Sequence, residues 1–140
     1  MANFSADAQT NTIAVPSVNS PPTNSVGRVR VCYDQYTVIS TEAASDTITF
    51  GAENIPLGAR ITSAVIQNDG VGGTSTIVTV AVGGVSPIVG ADITSAGIDT
   101  ITTYGLVTTS AGYPVMTLTT RTAAMTAAKV IKLQIEYVID

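Results

Sequence analysis

The side chains able to do covalent chemistry are few, and none has an obvious helper. Cys32 is the single cysteine, and the chain contains no histidine. A nucleophilic Cys, Ser or Thr needs a base within hydrogen-bond reach. Without imidazole the bases left are Lys129 and Lys132, and both lie on or beside a stretch of alternating polarity that reads as a solvated strand face. Acid–base work by carboxylates needs two of them placed together, yet the 10 acidic residues are scattered singly. Asp46, Asp69, Asp92 and Asp99 stand in turn-like stretches, where Asp bonds its own backbone. Gly70-Val71-Gly72-Gly73 has the glycine density of a phosphate loop, but it lacks the Lys-Ser/Thr ending and runs into a Thr/Val strand. The residue types thus exclude imidazole catalysis and His-ligated zinc. The expectation is a non-enzymatic chain with no catalytic residues, no cofactor and no metal.

Binding chemistry has more to work with. Arg28 and Arg30 leave one face of a strand, with Cys32, while Val29, Val31 and Tyr33 leave the other. Two arginines so placed can clamp carboxylates of another subunit, because guanidinium pairs bidentately. The same pair is also what the solvent face of a half-buried strand looks like. There is no Trp among the aromatics, so Tyr36, Tyr104 and Tyr113 are the candidates for stacking on a sugar. Each also reads as an ordinary strand-end or turn tyrosine.

The elements that must position these residues are strands. The 140 residues suit one domain, and only 11% of them are charged, against a usual quarter. Counting gives 22 Thr, 17 Val and 14 Ile, together 53 β-branched residues, which favour a pleated surface over a helix. A net charge of −4 and a pI near 4.5 argue against nucleic acid as a partner. No membrane span is expected, since the most apolar stretch, 77–91, is broken by Gly83-Gly84 and Pro87. The first residues carry no basic segment or apolar run, so synthesis in a cytoplasm without a secretion signal is expected.

Residues 1–27 differ from the rest: Pro16, Pro21 and Pro22 sit among Asn, Ser and Thr, with no charge between Asp7 and Arg28. They read as an extended N-terminal arm, with Ile13, Val15 and Val18 as small apolar anchors. Such an arm could reach about 90 Å, while the body is roughly 35–40 Å across, so contact with a neighbour is within range.

Residues 28–140 read as the body, with a period of two. Ile48 and Phe50 point inward from 46–50. Strands follow over 59–68, 75–82, with Val78, Val80 and Val82 on one side, then 99–104 and 115–120. A long small-residue loop is expected from Gly83 to Gly97. The last strand is the clearest: Ile131, Leu133, Ile135, Tyr137 and Ile139 alternate with Lys132, Gln134 and Glu136. The Ala-rich run 122–128 is too short for a stable helix and reads as a connection. The expectation is an all-β antiparallel sandwich, jelly-roll-like, of seven or eight strands. Residues 70–91 and 100–120 hold no charged side chain, which points to faces covered by other chains.

Gly27-Arg28-Val29-Arg30-Val31, Asp46-Thr47-Ile48-Thr49-Phe50, Ile55-Pro56-Leu57-Gly58-Ala59-Arg60-Ile61 and the closing strand from Val130 to Tyr137 resemble small virion structural proteins of tailed bacteriophages, of the capsid decoration (cement) type. The turn Ile-Pro-Leu-Gly-Ala-Arg before a strand is the most telling of these. The resemblance implies a β-sandwich on the outer surface of the assembled capsid, made in the host cytoplasm. Its implied partners are the major capsid protein and further copies of itself, with a homotrimer preferred. Neither nucleic acid nor membrane is an expected partner. The candidate contact residues are Ile13, Val15, Pro16, Val18, Pro21, Pro22, Arg28 and Arg30. The alternative is a tail- or fibre-associated sandwich that binds a receptor or carbohydrate.

Overall fold

The structure, a computed structural model, describes residues 2–5, 29–51, 54–73, 75–120 and 123–139. Its strands are β1 (Asn3–Ser5), β2 (Val29–Thr37), β3 (Thr47–Thr49), β4 (Ala59–Asp69), β5 (Ile77–Val82), β6 (Val85–Asp92), β7 (Ala96–Thr100), β8 (Val115–Thr120) and β9 (Val130–Ile139). They form two sheets, ordered β1-β3-β8-β5-β6 and β2-β9-β4-β7. Eight of them, β2 to β9, make two four-stranded antiparallel sheets, and β1 adds to β3 in parallel. Strands β2, β4, β7 and β9 lie in one sheet and β3, β5, β6 and β8 in the other. The chain therefore crosses between sheets from β2 to β5, stays in one sheet through the β5–β6 hairpin, and crosses again from β6 to β9. This alternation is a jelly roll.

The core lies between the sheets and is built from alternate residues. On β9, Ile131, Leu133, Ile135 and Tyr137 are buried, as their spacing predicts. They share one core with Ile48, Val78, Val80, Val82, Ile88, Met116 and Leu118 of the other sheet and with fully buried Phe50. No helix occurs among the described residues, and residues 123–128 link β8 to β9 through turns.

Three expectations need correction. The stretch from Gly83 to Gly97 is not a loop. Gly83 and Gly84 have φ of 54° and 84°, the two positive values that a two-residue type I′ hairpin turn requires. Val82 pairs with Val85 across that turn, and β6 runs on to Asp92. The next strand accordingly comes early, at Ala96–Thr100 instead of 99–104. The third correction concerns the start of the arm. Asn3 to Ser5 pair with Thr47 to Thr49 of the body, and Phe4 packs against the core. The remainder of the arm, 6–27, lies outside the described residues, and with it Ile13, Val15, Pro16, Val18, Pro21 and Pro22; Arg28, the first residue of the body, lies outside them too.

Candidate interaction surfaces

The outer face of the β2-β9-β4-β7 sheet is decided by β9. Opposed residues in an antiparallel pair share a face, so the inward row of β9 fixes the inward row of β2. Tyr36, Asp34, Cys32 and Arg30 stand opposite Ile131, Leu133, Ile135 and Tyr137, and this row turns to the interior. Tyr36 and Asp34 are buried, and Cys32 and Arg30 are half-buried. Val29, Val31 and Tyr33 stand opposite Val138, Glu136 and Gln134 and are forced outward, 59%, 55% and 52% exposed. Of the two arginines in the sequence pattern, only Arg30 is described. It belongs to the inner row, not to a solvent face, and the apolar row is the exposed one.

This strip lies on an edge strand and passes into a shallow hollow. The hollow is lined by Tyr33, Val65, Gln67, Lys132, Leu133 and Gln134. Gln134 Nε2 donates to Glu136 Oε1 at 3.0 Å. Exposed Ile98 of β7 lies opposite Gln67 in the same sheet.

The outer face of the other sheet has a different character. Thr47, Thr117 and Thr79 are aligned across β3, β8 and β5, and Thr49, Val115 and Ala81 form the next row. Thr79 and Thr119 hydroxyls approach to 3.4 Å. None of these side chains is charged. The β-prone segment 75–82 is not an unpaired edge, since β5 lies between β8 and β6. Its inner valines are buried and its outer row is half-covered by neighbours.

A third feature is a group of buried polar residues beside β1. Asp46 Oδ1 accepts from the Ala2 amide at 2.9 Å, and its Oδ2 accepts from the Ala43 amide at 2.8 Å. Tyr36 donates its hydroxyl to Glu42 Oε1, which also accepts from the Ile39 amide. Glu42 Oε2 is buried with no hydrogen bond among the described residues. Burial, then the bond to Glu42, push the Tyr36 phenol well above its usual value of 10.0. Phe4 sits against Tyr36 with ring centroids 6.1 Å apart. This seat was not legible in the sequence, because Phe4 and Tyr36 lie far apart along the chain. Tyr36, 5% exposed, cannot serve as a sugar platform, whereas Tyr104 is 74% exposed.

The turn Ile55 to Arg60 is held from both sides. Ile55 bridges Gly112, while the Thr108 hydroxyl donates to Pro56 O at 2.6 Å and accepts from the Ala59 amide at 2.9 Å. Gly58 takes φ of 80°, and Ala59 is fully buried as β4 begins. No three His, Cys, Asp or Glu side chains gather as a metal site among the described residues.

The fold defines the class: among the described residues, two four-stranded antiparallel sheets form a jelly-roll sandwich, with β1 added at one edge. Its likeness to solved structures lies in bacteriophage capsids. A chain of the capsid of Ralstonia phage GP4 superposes with a TM-score of 0.72 at 20% identity, covering 99% of each chain. A chain of the cyanophage Pam1 capsid asymmetric unit gives 0.66 at 19% identity, covering 91% of this chain and 96% of that one. A chain of the acid-stable capsid of Helicobacter pylori bacteriophage KHP30 gives 0.54 at 12% identity, covering 79% of this chain and 87% of that one. No protein-family model matches the chain, and no curated protein matches it.

Proposed function

We propose that the chain is a non-enzymatic structural component of a bacteriophage head, a decoration (cement) protein bound to the outer face of the assembled shell. The observation that carries this reading is the end-to-end agreement of the fold with a phage capsid chain, 99% of each chain at a TM-score of 0.72. The surfaces support it. A threonine-rich outer face, uncharged across β3, β8 and β5, and an exposed apolar strip on an edge strand suit burial against protein. The partners in this reading are the major capsid protein and further copies of the chain, arranged as a trimer. Residues of the arm add grip: Ile13, Val15 and Val18 as apolar contacts, Pro16, Pro21 and Pro22 as stiffeners that lower the entropy lost on docking.

Cryo-electron microscopy of purified virions tests the reading directly. The expected result is density for this fold on the outer head surface, in a fixed ratio to the shell subunit. A few copies confined to the tail tip would overturn it and favour a receptor- or carbohydrate-binding role.

A further inference from the structure

The seat of β1 is built entirely by the body. Thr47 to Thr49 supply the pairing edge, and the Thr47 amide donates to Ala2 O at 3.2 Å. Asp46, 5% exposed, anchors the Ala2 amide. Tyr36, fixed by Glu42, receives the Phe4 ring. The strand that fills this seat is three residues long and runs parallel to β3, so no tight turn ties it there. It is joined to the body only through residues 6–28, a link of 23 residues. Fully extended, such a link spans about 75–80 Å, roughly twice the body's diameter. Every contact holding β1 is therefore available to the same strand from another copy.

A separate observation points to another copy as the supplier. The link re-enters the body at Val29, where the outward row Val29, Val31 and Tyr33 is more than half exposed. A neighbour covering that strip brings its own link and first strand to the same side of the molecule. We propose that β1 is exchanged: when copies associate over the β2 strip, residues 2–5 of one chain occupy the seat beside β3 of the next. This rests on the oligomer in the proposed function and gives it a physical joint.

The test uses full-length chains in which Cys32 is replaced by serine. One protein carries Ser5→Cys and a second carries Thr49→Cys, positions aligned in the β1–β3 register. The two are unfolded together, refolded and oxidised, and non-reducing gels with intact mass identify mixed disulfides. The expected result is a Ser5→Cys to Thr49→Cys heterodimer in severalfold excess over a control pairing of Ser5→Cys with Gln67→Cys, which lies in the other sheet. A chain carrying both Ser5→Cys and Thr49→Cys should then give covalent multimers. The proposal is overturned if the mixture yields no excess and the double variant closes within single chains. It is overturned equally if the double variant does not cross-link, since β1 is then not beside β3. None of these outcomes bears on whether the protein sits on the head, which its location in virions decides.

Discussion

At the scale of single residues, the informative group is Tyr36 with Glu42 and Asp46. A buried carboxylate is tolerated when its oxygens are hydrogen-bonded, and losing a partner costs the desolvation of the orphaned group. Tyr36→Phe keeps the ring under Phe4 but removes the hydroxyl that Glu42 Oε1 accepts. A loss of about 1–3 kcal/mol is expected, read as a lower urea midpoint at unchanged slope. The phenol also predicts a pH response. Its folded-state pKa lies above the ordinary 10.0, so the folded chain keeps a proton that the unfolded chain has lost. Unfolding then releases a proton, and stability falls as pH rises beyond about 10. Following tyrosinate absorbance while unfolding at pH 9 and pH 11 checks this. The Tyr36 phenol should ionise only on unfolding. At the acid end, the hydroxyl and then the amide of Thr94 hold the exposed Asp92 carboxyl below its usual 3.8.

At the scale of elements, β9 is the strand whose pattern governs its neighbours. Its alternation was plain in the sequence because four large apolar residues alternate with Lys132, Gln134 and Glu136. The same reasoning applied to β2 alone is ambiguous. Val29, Val31 and Tyr33 look like an inward row until the register with β9 fixes Tyr36 and Asp34 inside. Strand pairing over a hundred residues of sequence is not a local signal, so the face of β2 was not legible while its existence was. The hairpin at Gly83-Gly84 was missed for a different reason. Small residues in Val85–Asp92 hide a strand whose alternation is broken by register shifts against β5. Three substitutions test this. Ile135→Ala opens a cavity between the sheets and should cost about 2–5 kcal/mol. Val31→Lys stands across from Glu136 on the outer face and should change stability by no more than about 0.5 kcal/mol, while weakening self-association in sedimentation. Gly83→Ala should cost more than about 1 kcal/mol, because its Cβ would meet Ser110 O at 2.4 Å and φ is already positive. A thermal melt reads that loss.

At the scale of the whole molecule, the body holds its own core. Both four-stranded sheets have complete inner rows without β1, while the β2 strip stays exposed. Ordering 23 residues between β1 and β2 costs about 1–2 kcal/mol each in backbone entropy, more than a segment this poor in apolar side chains recovers alone. In the proposed function, contacts with a neighbour or with the shell offset that cost. Deleting residues 1–25 should therefore leave a β-rich circular dichroism spectrum and a cooperative melt. The stability lost should be no more than about 1.5–3 kcal/mol, the value of a fully buried Phe, since Phe4 is only partly buried. Binding to emptied capsids should weaken much more than stability does. Phe4→Ala, which keeps the link but empties the seat beside Tyr36, should fall between the truncated and full chains, because Ile13, Val15 and Val18 remain. If the truncated chain binds emptied capsids as tightly as the full chain, the arm has no part in attachment, and grip must come from the outer faces of the sheets alone.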